Sequence, residues 1–273
     1  AAKAQLEELR KVRPADAQTR YFEARVAFLA GDLKHAGELV EQLQKAMPNN
    51  VRVLQLAGAI AFKNGSLLQA EQILGQALQA APGLEPARLL LAKTYMRAGD
   101  AAKALATVLP LLDSEAPSAE TLALAGSAYL ETGDLEQAEK LFARAVKLDP
   151  KDARNRTALA LTHLSRDNGD AALGQLESIA GSDAGISAHM VLITANLQRK
   201  DFDAALKAID HLEKKQPDKP LASNLRGRVL LMRGDFDGAR KNFERAVSLD
   251  PVYFAAIESL AALDLRDKKP EAA

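Results

Sequence analysis

Side chains able to do covalent chemistry are few in this chain and stand apart. His35, His163, His189 and His211 show no metal-ligand spacing such as His-Glu-x-x-His, and with no cysteine there is no thiolate ligand, Cys nucleophile or disulfide. The run Gly181-Ser182-Asp183-Ala184-Gly185 is no nucleophile elbow, since its serine is misplaced and no strand precedes it; it reads as a shortened loop between repeats. No phosphate loop, calcium loop or catalytic dyad occurs, so neither catalysis nor a cofactor or metal is expected. What does recur is a row of apolar side chains, Phe28, Phe62, Met96, Leu130, Leu164, Leu197, Leu231 and Leu265. One helical turn earlier stand Arg25, Lys93, Ser127, Thr194 and Arg228. Apolar anchors beside hydrogen-bonding groups suit the grip on a protein or peptide.

Rows of this kind need regular elements beneath them. Ala2, Ala36, Ala70, Ala104, Ala138, Ala172, Ala205, Ala239 and Ala273 follow one another at 34 residues, with a single step of 33. A helical hairpin of that length cannot bury its apolar face alone, so the period implies stacked hairpins. Five residues before each marker alanine lies a turn position, held by Gly31, Gly65, Gly99, Gly133 and Gly234, and by Asp167, Lys200 and Lys268 elsewhere. Asp32, Ser66, Asp100, Asp134, Asn168, Asp201 and Asp235 come next, each able to cap the following helix.

After the marker, positions +4 and +7 are apolar, as in Leu74 with Ala77 and Phe142 with Ala145, which makes one buried helix face. Pro14, Pro48, Pro82, Pro150, Pro217 and Pro251 then stop the second helix, while Ala116 and Ala184 depart from the rule. In the first helix, seven residues before the turn, small residues dominate: Ala24, Gly58, Ala92, Gly126, Ala160, Gly227 and Ala261, with Ile193 the exception. They let paired helices approach closely.

Composition agrees. The chain is 48% hydrophobic but only 4% aromatic, with no Trp, which suits helix packed tightly on helix. Its 36 basic and 36 acidic residues cancel, leaving no electrostatic footprint for nucleic acid or an anionic membrane. Apolar runs such as Val53 to Phe62 fall short of the roughly 18 residues of a membrane span.

The small residue, Gly-Asp turn, marker alanine, apolar face and stop proline together resemble the tetratricopeptide repeat over nearly the whole chain. That resemblance implies an all-α, right-handed superhelical solenoid of helix-turn-helix repeats, about sixteen helices in a single domain spanning 1–273. Residues 1–16 read as an orphan second helix, 17–253 as seven full repeats and 254–273 as the start of an eighth, the pattern of a fragment of a longer array. The cut ends offer a route to self-association. In such a solenoid the first helices line the concave wall, so the apolar row and its polar neighbours mark a groove for a protein or peptide partner. The same position borders the interior, and the sequence leaves groove and interhelical packing both open. In relatives that clamp a chaperone's terminal carboxylate, paired Lys and Asn stand at set groove positions. Tyr21, Arg25, Gln55 and Ala59 hold those places here, which does not support that activity.

The stretches Ala87 to Leu112, Arg156 to Glu177, Leu212 to Asp218 and Gly238 to Ala256 further resemble the tetratricopeptide lipoproteins of the PEP-CTERM/exosortase system. That resemblance implies a non-catalytic scaffold of the Gram-negative envelope, on the periplasmic side. It would be tied to exopolysaccharide production and protein sorting, and held by a lipid anchor outside 1–273. The alternative is a regulatory tetratricopeptide domain of a longer enzyme or signalling protein.

Overall fold

The computed structural model describes residues 6–7, 16–166, 169–183 and 185–267. Among them are fifteen helices of the kind the period predicts, and no strand. The first compact unit, Ala1–Asp149, holds four hairpins. They pair α1 (Ala17–Ala30) with α2 (Leu33–Ala46), α3 (Val51–Lys63) with α4 (Leu67–Ala80), α5 (Glu85–Arg97) with α6 (Ala101–Leu112), and α7 (Ala119–Thr132) with α8 (Leu135–Leu148). The second unit, Pro150–Ala273, pairs α9 (Ala153–Ser165) with α10 (Gly169–Ser182), α11 (Ser187–Gln198) with α12 (Phe202–Lys215), and α13 (Pro220–Arg233) with α14 (Phe236–Leu249), then adds α15 (Phe254–Arg266). Of the expected orphan helix over 1–16, only Leu6 and Glu7 are described, both helical. Ala2, Pro14, Asp167, Asn168, Ala184, Lys268 and Ala273 lie outside the described residues.

Local chemistry sets the hairpin. Gly31, Gly65, Gly99, Gly133 and Gly234 take φ values between 77° and 88°, the left-handed turn that glycine enters without a Cβ penalty. Lys200 is forced into the same conformation at φ 59°, with the same bonding. Its N–H donates to Leu197 O at 3.0 Å and the next N–H to Asn196 O at 2.8 Å, as Gly133 and Asp134 do toward Leu130 and Tyr129.

Asp32, Asp100, Asp134, Asp201 and Asp235 then each accept from the N–H three residues on, at 2.9 to 3.1 Å. Ser66, expected to do likewise, makes no side-chain cap. Ser118, whose backbone is extended at ψ 156° where that of Ser66 is at 69°, does cap its helix, accepting from Thr121 N at 3.1 Å. Second helices end at Ala46, Ala80, Leu148, Lys215 and Leu249, each two residues before its proline. Two departures are not written in the pattern. Helix α6 runs through Pro110 to Leu112, and α10 continues through Gly181 and Ser182, so the loop expected from Gly181 starts only at Asp183. There the Lys215 ammonium takes over the terminal carbonyls, donating to Ala180 O at 3.1 Å, to Asp183 O and to Gly185 O at 3.2 Å.

Packing explains the marker. Ala36, Ala70, Ala104, Ala138, Ala172, Ala205 and Ala239 are all 0% exposed. Four residues on, the side chain seats against the small residue of the paired first helix. A Cβ added to Gly58 would lie 2.6 Å from Leu74, one on Gly126 3.1 Å from Phe142, and one on Gly227 2.6 Å from Phe243. First helices also meet across repeats, α1 on α3, α3 on α5 and α5 on α7 in the first unit, and α9 on α11 in the second. Among the described residues second helices show no mutual contact of that extent, so the first helices form the tighter face where they meet. Exposed arginines near their ends tie neighbours together: Arg97 donates to Phe62 O at 2.9 Å, Arg199 to Asp170 at 2.7 Å, and Arg233 to Asp203 at 2.9 Å. Such surface ties are worth little singly, about 0 to 1 kcal/mol.

Two predictions follow from these turns and contacts. Gly227→Ala should destabilise the fold, because overpacking against the buried Phe243 ring costs about 1 to 3 kcal/mol and exceeds the roughly 1 kcal/mol that Ala gains over Gly in a helix. Gly75→Ala, where a Cβ meets nothing within 4 Å, should instead stabilise. Urea unfolding of both variants decides it, and a stabilised Gly227→Ala protein would refute the close approach. Lys200→Gly should raise stability by about 0.5 to 1 kcal/mol through relief of the left-handed strain. An unchanged urea midpoint would show that Lys200 carries no strain.

Candidate functional site

The tight face of the first unit carries a cleft of about 560 Å³. Helix α1 supplies Tyr21, Phe22, Arg25, Phe28 and Leu29, α3 supplies Arg52, Gln55, Leu56 and Ala59, and Leu90 of α5 closes one side. Helix α1 is held for this task by Asp16, which caps it at Gln18 N, and by the left-handed Gly31 at its other end. Asn50 caps α3 by accepting from the N–H groups of Arg52 and Val53. The Arg25 guanidinium sits 5.9 Å from the Tyr21 ring centroid, and Tyr21 meets Phe22 edge to face at 6.1 Å. Phe28 is half-buried against the core and Leu29 is 76% exposed, so the wall still offers apolar area to a ligand.

Of the expected groove residues, Arg25 and Phe28 meet in this cleft. The others lie along the first helices outside it. Phe62 is half-buried against the core, and the Arg97 guanidinium lies 4.8 Å from its ring centroid. Lys93 pairs with Glu120 of α7 and thereby ties two first helices together. Met96 and Leu130 are half-buried, while Ser127 donates back to Ala123 O at 2.9 Å. Thr194 and Arg228 lie in the second unit, exposed on α11 and α13. In the same row Leu164, Leu197 and Leu231 are half-buried, and Leu265 is 61% exposed.

Sequence reasoning missed Phe22, Leu29, Arg52, Leu56 and Leu90. The signal was present, for Phe22, Leu56, Leu90 and Leu124 form a second apolar row at the same 34-residue spacing. The chaperone-clamp positions Tyr21, Arg25, Gln55 and Ala59 do converge in the cleft, but they bring a phenol, one cation, an amide and a methyl in place of paired Lys and Asn. A smaller hollow of about 300 Å³ lies elsewhere, among α2, α3 and α4, with Gly37, Gln44, Gln69 and Ile73 in its lining.

His163 bonds Gln175 at 3.4 Å, as Tyr95 in the equivalent slot bonds Glu71 at 3.1 Å. No group of three or more metal-binding side chains exists among the described residues. None of their helices is long and apolar enough to cross a membrane.

His189 on α11 is 2% exposed, and its Nδ1 has no hydrogen-bond partner. Burial depresses its pKa below the ordinary 6.5, the Lys215 and His211 charges add to this, and Asp183 opposes it. A depressed histidine binds fewer protons folded than unfolded, so its contribution is complete above the unfolded pKa of about 6.5 and is lost as pH falls. Stability measured by urea unfolding should therefore drop from about pH 7.5 to 5.5, and His189→Leu should flatten the slope. Equal slopes in both proteins would exclude His189 as the source.

Comparison with known proteins bears on these observations. Two family models described as tetratricopeptide repeat match the chain, one over residues 61–128 and 129–192, the other over 1–51 and 190–254. Among solved structures, a tetratricopeptide repeat protein from Parabacteroides merdae is similar at TM-score 0.73 and 20% identity, over 90% of this chain and 98% of its own. A chain of the APC/C hetero-tetramer Cut9–Hcn1 is similar at 0.64 and 12% over 95% of this chain and 51% of its own. MamA from Desulfovibrio magneticus RS-1 is similar at 0.54 and 17%, over 60% of this chain and 92% of its own. At such identities the likeness concerns the fold. No curated protein sequence matches the chain.

Proposed function

The chain belongs to the tetratricopeptide repeat family, and from that premise we propose that it is a non-catalytic scaffold whose first-helix face holds a protein partner. The observation that carries this reading is the cleft between α1 and α3, where Phe28 and the exposed Leu29 stand beside Arg25 on a wall the fold leaves uncovered. Anchors of this kind account for most of the affinity at protein interfaces, with polar neighbours selecting the partner. The similar chain of the APC/C Cut9–Hcn1 structure is itself seen in a hetero-tetramer, which agrees with a protein as ligand.

We further propose a setting. The stretches that resemble the PEP-CTERM/exosortase lipoproteins support a place on the periplasmic side of a Gram-negative envelope, lipid-anchored in the full-length protein and linked to exopolysaccharide production and protein sorting. In that role an array without catalytic groups would gather other proteins at the membrane. The Phe62 and Met96 positions of the same face are half-buried and extend the contact along α3 and α5.

The test is affinity capture of partners from source-organism envelope extract with the intact chain and two bulky variants. Ala59→Trp fills the cleft from α3, and Gln44→Trp fills the smaller hollow among α2, α3 and α4. Captured proteins should disappear with Ala59→Trp and persist with Gln44→Trp, at matched thermal stability. The opposite pattern would move the partner site off the first-helix face, and capture only from cytoplasmic extract would remove the envelope assignment.

A further inference from the structure

The charges around the cleft go further than its shape. Arg25 and Arg52 both line it, both are exposed, and neither has a carboxylate partner among the described residues. None of the residues lining the cleft is acidic. Helix α3 carries no Asp or Glu at all, and the one acid on α1, Glu23, is engaged by His35 of α2 at 3.3 Å. The next cation along the same face, Lys93, is neutralised by Glu120, and Arg97 lies against Phe62. In a chain whose formal net charge is zero, two uncompensated guanidinium groups on either side of one cleft are a local concentration of positive charge.

Together with the two arginines the cleft is lined by the apolar side chains of Phe22, Phe28, Leu29 and Leu56. Resting on the scaffold reading above, we propose that the cleft takes an extended segment of a partner protein in which an apolar side chain is flanked on both sides by Asp or Glu. The apolar side chain fills the space between α1 and α3. The flanking carboxylates meet the guanidinium groups, whose planar forks suit paired N–H···O bonds. The volume of about 560 Å³ accommodates such an anchor and lies within the usual range of ligand sites. A nucleic acid fits the same surface poorly, because a phosphate backbone needs a long basic track and the next cation along the face, Lys93, is paired with Glu120.

The experiment uses the full chain and fluorescence anisotropy with three labelled peptides. The first is Glu-Asp-Leu-Phe-Asp-Glu blocked at both ends, the second the same sequence with a free C-terminus, and the third Lys-Lys-Leu-Phe-Lys-Lys, also blocked. The blocked acidic peptide should bind, weaken as salt is raised, and lose about tenfold or more in affinity with the R25E/R52E double variant, which should gain affinity for the basic peptide. Both substitutions are at exposed positions, so the thermal midpoint should stay unchanged, and the single variants R25Q and R52Q supply intermediate losses if the double variant does not fold. Equal binding of acidic and basic peptides, or no loss in R25E/R52E, overturns the proposal. A free C-terminus that alone confers binding also overturns it and assigns a terminal-carboxylate site. If no peptide binds while Ala59→Trp still abolishes partner capture, the acidic segment is wrong and the scaffold face stands. If Ala59→Trp leaves capture intact as well, both fall.

Discussion

The distance between the two helices of each hairpin governs everything else in this molecule. It is set by one contact repeated along the chain, a small residue of the first helix receiving the side chain four residues past the marker alanine of the second. Sizes across this contact compensate: glycines Gly58, Gly126 and Gly227 face Leu74, Phe142 and Phe243, with no room for a Cβ of their own. At the equivalent positions Ala24 corresponds to Val40 and Ala92 to Val108, smaller partners for a larger floor. Close-packed interiors respond to a single methyl group, so this compensation keeps the hairpins at a spacing on which the next one can stack. Two pairs do not compensate, Ala160 with Leu176 and Ile193 with Ile209, and they belong to the repeats on either side of the 33-residue step.

Irregularity around that step is absorbed by side chains in place of backbone rules. The repeat has no stop proline, α10 runs on through Gly181 and Ser182, and its last carbonyls would be left without donors. Lys215, reaching from the end of α12, supplies them. The same ammonium lies near the buried His189 and disfavours its protonated form. A local departure from the period has thus been repaired by a cation.

Much of the fold is legible in the residues because turn, cap, marker and stop are each decided within a few positions. Gly133 ends α7 and Asp134 starts α8 for reasons contained in their own side chains. What was not legible depends on reach or on neighbours. Ser66 has the right chemistry for a cap and makes none, Lys200 takes a glycine's conformation because the hairpin around it demands it, and Pro110 stays inside α6. The cleft was read only in part for a related reason. Phe28 and Arg25 share it with Phe22 and Arg52, but which side of a first helix faces open space depends on how α1, α3 and α5 rotate against one another, and a period of 34 does not carry that rotation.

The separation between rows that pack and rows that face outward bears on how such an array acquires a partner. Across the repeats the packing row keeps to glycine and alanine apart from Ile193, because the helix beneath leaves no choice. The row one residue later runs Arg25, Ala59, Lys93, Ser127, Leu161, Thr194 and Arg228, with no common size or charge. Nothing in the hairpin constrains it. Some of its members have been drawn into holding the stack, Lys93 through Glu120 and Ser127 through its own helix backbone. Arg25 has not, and with Arg52 it makes the α1–α3 cleft a place where side-chain chemistry is not already committed to the fold. On the proposed scaffold reading, selectivity resides in positions that the repeat leaves free, on a frame held by positions that it does not.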